Sequence, residues 1–412
     1  MKAEKKVPDL TLAPDPDSSF FEGIVFFEPI IIDKLIDLLK TNGLLKKKSL
    51  TKSGHQESNW MSKYDSQRSH VAAIISQYSA IDNAIKVKYQ FANRGTSIYG
   101  RVYPVGSKSG GEMSGNLRDY CFHKQWTALD IENAHPNILY QVLKLNGFEE
   151  FTFLANYCSN RNQNFQEVMN EYNVDRTAAK YLFIRLLYLG SFQGWAKDNG
   201  LSSKKPTKFI DGFSEEMFKI AEVLMKHNAD MHATLKPNKK SKKVGRTPKA
   251  QKADEGLASR DQLVAYFCAE HERCVLKLMF DFLVTIGLIN IEKVECMLRY
   301  DGIDLPLASL DGKDIGDVLN RMSDYVFKHS GFKLMMTEKA YKENYELQAM
   351  VNEQLDYEKR IPDEFKARLD NDFLTSTSNY NLQKYYFEKF VTTIQNQIER
   401  ISSSMLRRCH GN

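Results

Sequence analysis

Three short stretches of the chain carry residue types that can do chemistry together. In WTALDIENAHPNILY (residues 126–140) an apolar-leaning run, Thr127, Ala128 and Leu129, delivers one carboxylate, Asp130, to the point where a strand must end. In DRTAAKYLFIRLLYL (175–189) Arg176 and Lys180 stand four apart and share a helical face, with Tyr188 two turns further on. In VECMLRYDGIDLPL (294–307), Val294, Cys296, Leu298 and Tyr300 alternate with Glu295, Met297, Arg299 and Asp301, which is strand periodicity. Asp301-Gly302 is then a hairpin-turn signal that sets a second carboxylate at a tip, with a return strand behind it. Singly, each has a plainer reading: a helix-capping Asp130, an ordinary amphipathic helix, a turn aspartate.

In this fixed order the three suit metal-dependent nucleotidyl transfer. Two carboxylates held close together can bind two Mg²⁺, one activating a 3′-hydroxyl and the other holding a triphosphate. Mg²⁺ prefers oxygen ligands and keeps its waters, so few protein carboxylates suffice. Arg176 and Lys180 can neutralise the remaining phosphate charge, and Tyr188 can stack on the incoming base or sugar. Two basic regions suit a polyanion. The Gly-rich NRGTSIYGRVYPVGSKSGGEMSG (93–115) permits close backbone approach, and Arg101 and Arg118 can meet phosphates there. KPNKKSKKVGRTPKAQK (236–252) has eight basic residues and no acidic one, among them Lys239, Lys240, Lys242, Lys243 and Arg246. Such a stretch is either a solvated insertion or an arm that tracks phosphates.

The elements that must position these groups follow from periodicity. Residues 20–45 are apolar and helix-capable, and 67–91 has helical spacing through Val71, Ile74, Ile75, Tyr78, Ile81 and Ile85. Asp175 caps a strong helix, and 259–289 forms a long one on which His271 and Cys274 are packed core residues rather than a zinc pair. A helix over 315–328, a strand in GFKLMMTEK, and helices over 345–357 and 382–405 complete the pattern.

With 412 residues the chain has room for two or three lobes. A net charge of +5 permits a polyanionic partner without requiring one. Six cysteines (Cys121, Cys158, Cys268, Cys274, Cys296, Cys409) form no CxxC and no regular framework, which implies a reducing compartment. No apolar run approaches the roughly 20 residues of a membrane span, and the first 20 residues are too charged for a signal peptide. A soluble, intracellular protein without a membrane partner is expected. Walker, GxGxxG, HExxH and GxSxG motifs are absent from the sequence.

The three stretches resemble motifs A, B and C of the family A (polymerase-I-like) and single-subunit phage-type nucleic acid polymerases. ALDIENAHP matches the strand-end Asp of motif A, R-TAA-K-YLFIRLL-Y the Arg, Lys and Tyr of motif B, and LRYDGI the hairpin Asp of motif C. The separations, 46 residues from Asp130 to Arg176 and 113 from Tyr188 to Asp301, are similar to the family's. YGRVYP and NLRDY look like its Gly-Arg segment, and DIENAHPNIL is closest to replication proteins of viruses and mobile elements. Two departures stand out: motif B reads Tyr-Leu-Gly where the family has Tyr-Gly, and motif C reads Tyr-Asp-Gly where it has His-Asp followed by Glu or Ser.

The resemblance implies a right-hand-shaped α+β polymerase. Residues 1–94 would be a helical, thumb-like region, 95–150 and 291–340 the two parts of the palm, 151–290 the helical fingers, and 341–412 a helical extension. It implies Asp130, Asp301 and Ile131 as ligands of two Mg²⁺ (Mn²⁺ as substitute), and Arg176, Lys180 and Tyr188 as nucleotide contacts. His135 falls where DNA-making members set a bulky residue against the ribose 2′-hydroxyl, which favours dNTPs. Primer-template, nucleoside triphosphates and other replication proteins are the implied partners. An RNA polymerase or primase using rNTPs, and a catalytically inactive polymerase-like binding protein, are the alternatives.

Overall fold

The computed structural model describes residues 21, 23–40, 70–91, 100–105, 108–235 and 260–360. They mix helix and sheet and fall into two compact units. One unit draws on Met1–Ile24, Lys88–Tyr103 and Thr127–Lys339, the other on Val25–Val87, Pro104–Trp126 and Ala340–Asn412.

The first unit is built on a four-stranded sheet in the order Met297–Arg299, Gly302–Pro306, Trp126–Ile131, Met336–Ala340. Every residue of Trp126–Ile131 and of Gly302–Pro306 is buried, as expected of inner strands covered on both faces. The first two strands form an antiparallel hairpin in the register Met297↔Asp304, Leu298↔Ile303, Arg299↔Gly302. Its two-residue turn is therefore Tyr300-Asp301, one place earlier than the Asp-Gly signal suggests, and Gly302 already belongs to the return strand. Asp301 stays at the tip.

The helix Arg260–Thr285 packs on this sheet and on the helices Ala134–Leu145, Lys208–His227 and Ile315–Ser330. At about 1.5 Å per residue it runs nearly 40 Å, and it is buried on several faces. His271 and Cys274 are core residues of it, with Phe267 and Phe332 edge-on to the imidazole at 4.7 and 5.7 Å between ring centres. Neither His271 nitrogen has a hydrogen-bond partner, and burial holds its pKa down to about 4.

The helix Arg176–Leu187 starts as its sequence requires, with the Asp175 carboxylate accepting from the Ala178 N–H at 2.7 Å. Its buried stripe, Ala179, Leu182, Phe183, Leu186 and Leu187, meets an aromatic cluster in which Tyr157 stacks on Phe183 at 4.6 Å. Its end accounts for the Tyr-Leu-Gly departure. Leu189 N–H donates to Leu186 O at 2.9 Å and Gly190 N–H to Arg185 O at 2.8 Å, the two bonds of a Schellman cap. Leu189 takes the left-handed position, φ 57°, that such caps usually give to glycine. Gly190 serves close approach instead, because a Cβ there would lie 2.8 Å from Arg185 O.

The strand Ala84–Phe91 has Tyr78–Ser79 antiparallel on one side and Val25–Pro29 on the other. These strands correct the helical readings of 20–45 and 67–91, where helix among the described residues covers Ile32–Lys40 and residues 70–76. In 84–90, Ile85, Val87 and Tyr89 are buried while Lys86, Lys88 and Gln90 are exposed, a period of two that outweighs the sparser helical spacing. In Val25–Pro29 the inward positions are Phe26 and Glu28, so a carboxylate sits where alternation calls for an apolar side chain. Glu28 is satisfied by Ser109 Oγ at 2.7 Å and Gly110 N–H at 2.8 Å.

Among the described residues no helix is long and apolar enough to cross a membrane, and Cys121, Cys158, Cys268, Cys274 and Cys296 are free thiols.

Candidate active site

Asp130 and Asp301 arrive together because their strands are neighbours. The Ile131 N–H donates to Asp301 O at 3.1 Å and also to the Asp130 carboxylate at 3.1 Å. Contact between the strands is closest at Gly302, where an added Cβ would lie 2.6 Å from Leu129 O and 3.2 Å from Asp130 Oδ1. Glycine is what lets the hairpin tip close on Asp130. From the opposite strand, Thr337 Oγ1 donates to Asp130 O at 3.3 Å and the Lys339 ammonium pairs with Asp130 Oδ2. Burial pushes the Asp301 carboxyl above its ordinary range and the Glu272 charge pushes it further, against a pull from Arg101 and Arg299.

Glu272, deep on the long helix and 1% exposed, organises the adjoining wall. Arg101 binds it with two bonds, Nε at 2.6 Å and Nη2 at 3.1 Å, and lays its guanidinium over the Tyr300 ring at 4.6 Å. Two residues earlier on the helix, Glu270 accepts from the Gly100 N–H at 3.1 Å, so the Gly-Arg step is gripped through backbone and side chain. His135 Nε2 lies 2.8 Å from Glu272 Oε1. Arg101 Nη2 approaches the same nitrogen at 3.1 Å, and Nδ1 meets the Tyr188 hydroxyl on the other side of the ring. Burial alone would raise the Glu272 carboxyl; His135 and then Arg101 hold it below the usual range instead. The Tyr188 phenol is driven far above its normal value by burial and remains protonated. His135 is aimed by the start of its helix, where Asn133 adopts φ 52° and Pro136, needing no N–H, fits the first turn.

These groups line a cavity of about 580 Å³ whose wall includes Ile131, His135, Tyr188, Glu272 and Asp301. Its cations are Arg101, Arg161, Lys180 and Lys339. A second space of about 290 Å³ shares Arg101, His135 and Tyr188 and adds Tyr103 and Tyr266.

No protein-family model matches the sequence. The chain is 26% identical over 258 residues to the Sputnik virophage protein named "Putative helicase V13". That match takes in 62% of this chain and 30% of the relative, so the chain spans about a third of the relative's length. Among solved structures it is similar to the POL domain of Pol1 from M. smegmatis, in complex with DNA primer-template and dNTP. The identity is 10%, with 70% of this chain and 53% of that one covered at a TM-score of 0.47, too slight a likeness to argue from.

Of the residues singled out in the sequence, Asp301, Ile131, His135, Lys180, Tyr188 and Arg101 line this cavity, and Asp130, 2% exposed, lies behind its wall against Ile131 and Gly302. Arg176 does not. It donates to Asn162 Oδ1 at 2.9 Å, covers the Phe165 ring at 4.9 Å, and is absent from the cavity wall. As the first residue of its helix it meets the preceding helix, and the face it shares with Lys180 turns toward the cavity only at Lys180. Arg161, at the start of that preceding helix, lines the cavity instead. Arg118 belongs to the other unit, where its guanidinium donates to Gly111 O at 2.9 Å and Met113 O at 2.6 Å. Lys239, Lys240, Lys242, Lys243 and Arg246 lie outside the described residues. Glu272, Arg161 and Lys339 were not foreseen; for Glu272 the signal is AEHERC, a cluster of ionisable residues on an otherwise apolar helix.

Asp130 and Asp301 present oxygen donors only, and the burial that pushes Asp301 upward, with the Glu272 charge behind it, is a cost that a cation would relieve. Among the described residues no three or more His, Cys, Asp or Glu side chains are gathered as a metal cage. A pair of carboxylates fits a hard cation that keeps part of its water shell, as Mg²⁺ does.

Proposed function

We propose that this chain is a template-directed nucleic acid polymerase, most simply a DNA polymerase, that joins a nucleoside monophosphate to a primer 3′ end. The observation that carries the reading is the pair Asp130 and Asp301, joined through the Ile131 N–H and the close approach at Gly302, with Asp301 in the wall of a cavity that also holds Lys180, Arg161 and the His135–Tyr188 couple. Asp130 and Asp301, with Ile131 beside them, would hold Mg²⁺. When bound, the metal would supply polarisation of the 3′-hydroxyl and charge neutralisation at the phosphates. Lys180 and Arg161 would hold the β- and γ-phosphates while the 3′-oxygen bonds to the α-phosphorus and pyrophosphate leaves. Tyr188 would support the base. His135, held by Glu272 and Tyr188, would form a fixed wall against a ribose 2′-hydroxyl, which favours dNTPs.

The virophage relative's name supports a second reading, that the chain is the polymerising segment of a larger replication protein with an unwinding activity. The 412 residues contain no Walker-type phosphate loop, so an NTP-driven motor is not assigned to them. Extension of a labelled primer on DNA and RNA templates, with dNTPs or rNTPs in parallel and Asp130→Ala as control, tests the proposal. Extension by wild type and none by the variant supports it; equal extension by both removes it.

A further inference from the structure

Lys339 sits on the sheet strand Met336–Ala340, beside the strand Trp126–Ile131 that carries Asp130. Thr337 and Lys339, two apart, point to the same side of that strand. One bonds the Asp130 carbonyl and the other pairs with Asp130 Oδ2. The two partners differ sharply in setting: the Lys339 side chain is 58% exposed and that of Asp130 3%. A stem that lines the cavity and reaches solvent thus carries an ammonium to a carboxylate buried behind the wall. Among the described residues it is the one cation paired with Asp130. A buried carboxylate without a partner is costly, so the ammonium is what makes Asp130 tolerable without metal. An ammonium and a divalent cation cannot both occupy the same carboxylate edge, since their charges repel.

We propose that Lys339 is the resident counter-ion of Asp130, exchanged for the divalent cation when the site is loaded. The proposal rests on the metal-binding reading of Asp130. It makes metal loading a replacement rather than a simple association, with Lys339 setting the affinity. It also explains why a half-exposed lysine is paired with a buried acid beside the cavity.

The test is Mn²⁺ binding to the full chain, read as loss of the free-ion paramagnetic resonance signal, together with the melting temperature in EDTA. The variants are Lys339→Met, Lys339→Gln, Lys339→Arg and Asp130→Asn. Lys339→Met and Lys339→Gln should bind Mn²⁺ roughly five- to tenfold more tightly, the scale of one lost like charge near a carboxylate. Both should melt lower than wild type in EDTA and gain more from Mn²⁺. Lys339→Arg keeps the charge and should match wild type. Equal or weaker Mn²⁺ affinity in both neutral variants, with Asp130→Asn still abolishing binding, overturns the exchange and leaves the metal reading intact. Binding unaffected by Asp130→Asn, or absent throughout, overturns both.

Discussion

The carboxylate of Glu272 lies 2.8 Å from His135 Nε2, 137 positions away in the sequence, and fixes that imidazole between a buried acid and the Tyr188 hydroxyl. The same carboxylate holds Arg101 with two bonds, so one side chain orients two groups on the cavity wall. Replacing Glu272 with Ala leaves Arg101 facing a hole and His135 without its anchor. Urea denaturation should show a loss of about 3 kcal/mol, the lower end for breaking a buried charge pair, because Arg101 is partly exposed. The ratio of dNTP to rNTP incorporation should fall at the same time; an unchanged ratio would show that His135 is positioned by other means.

Gly302 is the place where backbone sterics control the chemistry. In Gly302→Ala the new methyl would meet Leu129 O at 2.6 Å, and the hairpin must back away from Asp130. Extension should drop by at least about tenfold, since a misplacement near 1 Å is that damaging to aligned groups. Primer-template affinity, measured by fluorescence anisotropy, should hold.

Lys180 and Arg176 make a matched comparison, four residues apart on one helix. Lys180→Ala removes a cation from the cavity wall and should raise the nucleotide KM about tenfold or more. Arg176→Ala removes contacts to Asn162 and Phe165 and should leave KM within about twofold, with a small fall in melting temperature. Equal effects on KM would mean that Arg176 reaches the substrate in the working complex.

His271 gives the core a pH signature. Its folded pKa, about 4, is depressed below the unfolded value near 6.5, so the folded state resists protonation. Stability from this group is therefore complete above pH 6.5 and declines as pH falls from there toward 4, by roughly 3 kcal/mol in all. His271→Leu should flatten that part of the stability–pH curve. A curve that keeps its full slope would locate the acid sensitivity elsewhere.

The readable parts of the sequence are those governed by local rules. A strand-end Asp130, a tip Asp301, the Asp175 cap and the helix after it all follow from periodicity and capping chemistry, and all are present. The helix Ile315–Ser330 and the start of the helix Tyr345–Arg360 are equally local. What periodicity does not announce comes from tertiary demands. Glu28 faces inward because Ser109 and Gly110 satisfy it, and no local pattern announces a partner 81 residues away. Glu272 reads as one more charge on a long helix until Arg101 and His135 come to meet it. Arg176 has the correct spacing, yet Phe165 and Asn162 of the neighbouring helix take its side chain.

The most direct test of the two-carboxylate site is primer extension by Asp301→Asn beside wild type, with primer-template binding measured on the same samples. The substitution keeps the size of the side chain and removes its charge, which burial and Glu272 already disfavour, so the fold should persist. Binding at wild-type affinity with extension reduced by a factor of about 1,000 or more is the expected result. Extension at the wild-type rate would contradict the assignment of Asp301, and with it the reading of this cavity as a nucleotidyl-transfer site.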